Sequence, residues 1–327
     1  MSAIVETRHL TRRYGATLAL NDLNLSIPQG AIYGFIGPNG AGKTTTMRIL
    51  TTLLLPSEGE AFVAGHAVVR ERAAVRRQVG FMPDFFGVYD NMKAAEYLEF
   101  FAAAYDVPPA RRPKLIDDLL ALVDLSHKKD EDVMGLSRGM KQRLSLARTM
   151  IHDPALLILD EPASGLDPRA RVELRELLKE LRSMGKTIMI SSHILTELAE
   201  MCTHIGIIEG GNLLASGDVA TIMRSLQPHR IFEVHLVAGE GGDLPAALAG
   251  AAALAEAQPH VLGARAVPEG EPPQLQIDFD GDDRAASALL GALVAGGVAV
   301  THFAGQVSDL EEIFLRVTDG AAGPPPT

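Results

Sequence analysis

The chain has 327 residues, enough for two domains or for one large domain with an appendage. Its 47% hydrophobic and 22% charged residues are those of a globular protein with a sizeable core. A formal net charge of −11 argues against long-range attraction to nucleic acid or anionic lipid, and a single cysteine excludes an internal disulfide.

The opening "MSAIVETRHLTRRYG" lacks the apolar stretch of a secretory leader, so none is expected. "AIYGFIG" (31–37) reads as a buried strand, followed by a glycine-rich turn and a helix from Lys43. "VRERAAVRR" (69–77) reads as a solvated basic helix face rather than a polyanion site. From Asp84 to Arg148 the pattern turns mostly helical, as an insertion into an α/β core. "ALLILD" (155–160) and "KTIMISSH" (186–193) are apolar strands ending in polar residues. "HIGIIEGGNLLASG" (204–217) is a hairpin turning at Gly210-Gly211. Cys202 is expected to fill space on a helix.

Past residue 225 the composition shifts. Ala, Gly and Pro dominate 239–273, between strand-like "RIFEVHLV" and "QLQIDFD". A helix (283–295), a strand (298–303) and an amphipathic stretch (307–317) complete a small α+β unit, before a tail, 319–327, expected to be disordered. No window approaches the ~20 apolar residues of a membrane span; "ALLGALVAGGVAV" (288–300) is short and broken by glycines.

The chemistry lies in a few short motifs. "GPNGAGKTT" supplies Gly37, Pro38, Asn39, Gly40, Ala41, Gly42, Lys43, Thr44 and Thr45, which fit the phosphate-binding pattern G-x(4)-G-K-[ST] between a strand and a helix. Backbone N–H groups cradle the phosphates, Lys43 reaches the β and γ oxygens, and the Thr44 hydroxyl is offered to Mg²⁺. In "LLILDEP" the strand end places Asp160 to hold Mg²⁺ through water and Glu161 to polarise a water for attack on the γ-phosphate. His193 ends a further strand, where an imidazole either contacts the γ-phosphate or is structural. Tyr14 either stacks adenine or packs in the core. "LSRGMKQR" opens a basic helix at Ser137, a second anion-binding helix start.

Phosphate loop, "LSRGM", "LLILDEP", "SGLD" and "SSH", in this order, resemble the ATP-binding cassette of ABC transporters over residues 1–225. The resemblance implies an α/β fold: a P-loop NTPase ABC cassette with a mixed sheet and a helical subdomain at about 84–148, followed by a small C-terminal α+β domain over 226–318. It implies an ATPase binding ATP and Mg²⁺, with Tyr14 against adenine and His193 at the γ-phosphate. Two cassettes, a homodimer or an unlike pair, would face each other head to tail, Ser137 and Gly139 of each closing over the other's ATP. Charge-assisted bonds of that kind contribute about 1.5–3 kcal/mol each, and ADP lacks the oxygens that accept them.

The implied partners are separate transmembrane permease subunits, with the chain peripheral on the cytoplasmic membrane face, not inserted, and binding no nucleic acid. Export is the implied direction. The signature departs from the usual LSGGQ at Arg138 and Met140, and Asp84 stands where the family usually has glutamine. Asp84 is assigned the same sensing and Mg²⁺-contacting work. Phe85 and Phe86 in "FFGVYDN" either receive the permease's coupling helix or pack locally. "DLEEIFLRVTD" (309–319) resembles the accessory domain that ends exporter-type and drug-resistance cassettes. The alternative is a soluble ABC ATPase that remodels ribosomes or DNA. A single cassette without heptads, CxxC pairs or basic charge speaks against it.

Overall fold

The computed structural model describes residues 2–84, 87, 91–194, 201–226, 230–237, 243–267 and 274–306. Phe85, Phe86, the stretch 307–317 and the tail 319–327 lie outside them. The chain divides into two compact units, 1–222 and 223–327.

In the first unit, β1 (Ala3–Tyr14), β2 (Thr17–Leu23), β3 (Ser26–Pro28), β5 (Glu58–Val63) and β6 (His66–Ala67) form an antiparallel sheet. A second sheet runs β11-β10-β4-β9-β8-β7, from β4 (Ile32–Ile36), β7 (Val79–Met82), β8 (Leu156–Leu159), β9 (Thr187–Ser192), β10 (His204–Glu209) and β11 (Asn212–Asp218). All its pairs are parallel except the β10–β11 hairpin. Strands β4, β8 and β9 are buried along their whole length, as the continuous apolar runs of a covered parallel sheet require.

The core between the sheets follows the strand period of two. Tyr33 and Phe35 of β4 point into it with Leu156 and Ile158 of β8, and Leu10, Leu20 and Ile27 meet them from the other sheet. Each fully buried large apolar side chain contributes about 1.5–3 kcal/mol. The helices α1 (Lys43–Leu50) and α2 (Arg72–Gln78) precede β7. Between β7 and β8 the chain leaves the sheet for α3 (Ala94–Ala104), α4 (Arg112–Leu122) and α5 (Arg138–Thr149), the helical insertion. The helix α6 (Pro168–Ser183) returns it to β9, and α7 (Val219–Leu226) follows the hairpin. Cys202 sits in the connection entering β10 rather than on a helix, and burial pushes its thiol up to about 12.

The second unit runs β12 (Arg230–Val237), α8 (Leu244–Glu256), β13 (Val261–Val267), β14 (Gln274–Phe279), α9 (Asp283–Ala295) and β15 (Ala299–Gln306). Its sheet order β13-β14-β12-β15 with antiparallel pairs is the split βαββαβ arrangement. The stretch 239–273, read by composition alone, holds a full helix and a strand. Ala-rich α8 shows little contrast between faces, which hid its 3.6 period, yet Leu248, Ala251 and Ala255 line its buried side.

Candidate functional site

Open α/β sheets hold ligands outside the carboxyl ends of their strands. Here β7, β8, β9 and β4 all end on that side, which gathers residues more than a hundred positions apart in sequence. The β4 end opens into the phosphate loop. Its Gly42 takes φ 110°, and an added Cβ would fall 2.7 Å from the Ala19 carbonyl oxygen. Only glycine fits this turn. Residues Pro38 to Thr45 line a cleft of about 190 Å³ with Asp84, Asp160 and Glu161.

Polar groups in this cleft form one connected chain. The Thr44 hydroxyl donates to Asp160 Oδ2 at 2.9 Å. The Ser191 hydroxyl, at the β9 end, donates to Asp160 Oδ1 at 2.6 Å and accepts the Glu161 N–H at 2.9 Å. Asp160 is 2% exposed, and hydrogen bonds from both sides offset the cost of burying its charge. Its own N–H donates to the Met82 carbonyl, tying the β8 end to the strand that leads to Asp84.

Glu161 stands one residue beyond, in the left-handed region at φ 50°, unusual for a glutamate. Lys43 Nζ lies 3.4 Å from its Oε1 and donates to the Gly37 carbonyl at 2.6 Å. His193 Nδ1 lies 3.0 Å from Glu161 Oε2. A carboxylate only accepts, so Nδ1 carries the proton in that contact. Thr44, Asp160 and Asp84 present oxygens alone, which suits a hard divalent cation. The Asp84 carboxyl is pushed above the usual carboxylate range by desolvation first, then by repulsion from Asp160 and Glu161; Arg138 opposes this.

Tyr14 ends β1, well exposed, with the Arg12 guanidinium 4.5 Å from its ring centroid. It is therefore not a core residue. Ser137 and Gly139 are not among the residues that line the cleft. Ser137 is the exposed N-cap of α5, its oxygen accepting the Met140 N–H, and Gly139 lies in the first helical turn. N–H groups there have no helical acceptor. Ser191, which joins Asp160 to Glu161, carries no signal in the sequence beyond a hydroxyl at a strand end two positions before His193.

Residues 20–164 match the family model described as ABC transporter. The chain is 33% identical over 319 residues to Nod factor export ATP-binding protein I of Cupriavidus pinatubonensis, covering 97% of this chain and 91% of the relative. It is 32% identical over 307 residues to daunorubicin resistance ATP-binding protein DrrA3 of Streptomyces coeruleorubidus, covering 94% and 93%. Among solved structures, cbiO1 from Clostridium perfringens, described as part of the ABC transporter complex cbiONQ, shares the fold at TM-score 0.63 and 26% identity. That likeness covers 69% of this chain and 95% of cbiO1.

Proposed function

The chain belongs to the ABC transporter family as one of its ATP-binding, ATP-hydrolysing proteins, and from that premise we propose how its residues divide the work. Two copies associate head to tail, and ATP closes the pair. The observation that carries this is the separation between the phosphate loop's polar cleft and the Ser137 turn. The cleft has a cradle, a cation-holding oxygen set and a carboxylate, while the second anion-binding helix start stands exposed outside it. A partner's nucleotide brings the two together.

In this reading the loop N–H groups and Lys43 hold the β and γ phosphates, countering the charge that builds during transfer. Thr44, Asp160 and Asp84 would hold Mg²⁺, which would supply charge neutralisation on the phosphate oxygens. Glu161 polarises the attacking water, and His193 and Ser191 fix its carboxylate and backbone in place. Tyr14 offers adenine the ring face opposite Arg12. Ser137 and Gly139 donate to the partner's γ-phosphate. Hydrolysis removes the group they grip, and the pair opens.

Transport then runs through separate membrane subunits, with the chain peripheral on the cytoplasmic face. No helix among the described residues is long and apolar enough to cross a membrane. A groove of about 990 Å³, lined by Phe81, Phe101, Tyr105, Arg48, Arg76 and Arg148, also has Thr44, Asp84 and Asp160 in its wall. A permease segment seated there would touch the same residues that hold the nucleotide. The relative named for Nod factor export supports outward transport.

Glu161→Gln tests the division of roles. The variant should bind ATP, hydrolyse it at least about 100-fold more slowly, and accumulate as an ATP-bound dimer in size-exclusion chromatography. An unaltered hydrolysis rate removes the role given to Glu161. A monomer with ATP bound removes the shared site.

A further inference from the structure

The turn that reaches outward from the cleft is also tied to the protein's own catalytic loop. The loop Glu161–Asp167 begins with Glu161 in the left-handed region and bends again at Gly165, φ 67°. Inside the loop, the Ser164 N–H donates to the Glu161 carbonyl at 3.1 Å and the Leu166 N–H to the Ala163 carbonyl at 3.2 Å. Arg171 of α6 ties down the loop's far end, its Nε donating to the Leu166 carbonyl at 3.1 Å. The helix α5 meets the loop at two further points.

Gln142 Nε2 donates to the Pro162 carbonyl at 2.5 Å, one residue past Glu161. Three residues further, the Arg138 guanidinium lies flat on Gly165. A Cβ built there would come within 2.3 Å of Arg138 Cζ and Nη1. Gly165 takes the positive φ that glycine favours, and the Arg138 guanidinium occupies the space a side chain there would fill. Gln142 and Arg138 stand one helical turn apart on one face of α5, so a single rigid element grips the loop on both sides of Ser164.

We propose that Arg138 is a positioning residue acting within its own copy: laid on Gly165, it joins Gln142 in clamping the loop that aims Glu161, so that the signature turn sets its own copy's carboxylate as well as reaching the partner's nucleotide. The inference rests on the head-to-tail reading above. Glu161 is bonded to the clamped loop, and small displacements of a positioned catalytic group cost rate steeply. Neither Arg138 nor Gln142 bonds the phosphate loop, and Arg138 reaches the cleft only through its charge near the solvent-exposed Asp84, so nucleotide affinity should change little.

Mixed dimers of differently tagged copies separate action within a copy from action across the interface. The reference pairs wild type with Glu161→Gln, leaving one working centre. Pairing Arg138→Ala with Glu161→Gln leaves a centre whose own Arg138 is lost and whose facing signature is intact. Its kcat should fall about tenfold, with KM for ATP within about twofold. Pairing wild type with the double variant Arg138→Ala/Glu161→Gln leaves a centre that lacks Arg138 only across the interface. Its rate should stay within about twofold of the reference, which also shows that the variant copy folds and pairs. Arg138→Lys, long enough to keep a cation near Gly165 but without the flat group, should recover part of the loss. Reference-level turnover in the first mixed pair overturns the proposal, and so does an equal loss in both pairs. A third pair, wild type with Ser137→Ala/Glu161→Gln, reports on the shared site alone. Full activity there sinks the head-to-tail reading, whatever the Arg138 pairs show.

Discussion

The two units differ most in what they bury. The first encloses Lys43, Asp160, Lys186, Ser191 and Ser192 along with its aliphatic core. Among the described residues of the second, every buried residue is apolar, with Phe232, Val234, Leu275, Ile277 and Phe279 facing Leu248, Leu289 and Leu293 across one layer. Burying a polar group costs free energy unless its hydrogen bonds are replaced. The first unit meets that cost with a chain of bonds from Thr44 through Asp160 and Ser191 to Glu161. Such a network suits chemistry better than packing, which supports the proposed reacting groups in residues 1–222. The second unit is built as a folded body whose core asks only for shape.

The contrast breaks most sharply at Asp160. In Asp160→Asn, an amide N–H₂ replaces one oxygen that now accepts a hydroxyl, leaving either Thr44 or Ser191 without its acceptor. ATP hydrolysis, followed as phosphate release, should fall about 100-fold or more. A fall under about threefold would reduce the buried chain to packing.

Phe279→Ala tests the other side. Phe279 is fully buried, with Phe232 edge-on at 5.4 Å between ring centroids. Truncation should destabilise the second unit by about 3–5 kcal/mol in denaturant unfolding. ATP affinity, measured by titration with a fluorescent analogue, should change less than about twofold, because no described residue of that unit lines the cleft. Loss of ATP binding in parallel would merge the two units into one functional body.

Next in size is Tyr14→Ala, which removes the stacking face. It should weaken ATP binding by about 1–3 kcal/mol, roughly 5- to 150-fold in Kd. An unchanged Kd in calorimetry leaves Tyr14 as a partner of Arg12 only.

What the sequence made legible follows the same division. The phosphate loop, the Asp160–Glu161 strand end and the Ser137 helix start were readable because their chemistry needs adjacent residues. Glycine, lysine and hydroxyl must sit within a few positions to surround one phosphate. Strand β4 and helix α9 were readable from apolar runs and periodicity. The antiparallel strands β1, β2 and β5 carried no such marker: β1 and β2 meet in a hairpin whose Gly15-Ala16 turn lacks an Asn-Gly or Gly-Gly signal, and β5 pairs with β1 across about fifty positions. Ser191 and Gln142 were silent for a related reason: each acts only through hydrogen bonds to residues far away in sequence. Helix α8 was lost in alanine. Gly165 shows both cases at once, its turn foreseeable within "SGLD" but the Arg138 group lying on it visible only in three dimensions.

The smallest predicted effect concerns Asp84, where the polar network meets solvent. Its carboxyl sits above the ordinary range, because desolvation and the charges of Asp160 and Glu161 disfavour its ionised form more than Arg138 favours it. The folded state therefore holds this proton more tightly than the unfolded chain does. Stability should fall as pH rises through the elevated titration, and the ionised group is a net burden above it. Asp84→Asn lifts the burden. Without nucleotide or metal, its melting temperature should exceed wild type by about 1 °C near pH 7, a small gain because the group is exposed and screened. The gain should vanish below about pH 3, where the carboxyl is largely neutral in both the folded and the unfolded state. The same variant loses an anionic oxygen offered to Mg²⁺, so half-maximal hydrolysis should require more of the metal. A gain in stability paired with a poorer metal response marks a group retained for chemistry at the expense of folding. If both melting curves and Mg²⁺ titrations overlay those of wild type, Asp84 is a loop residue, and the network stops at Asp160.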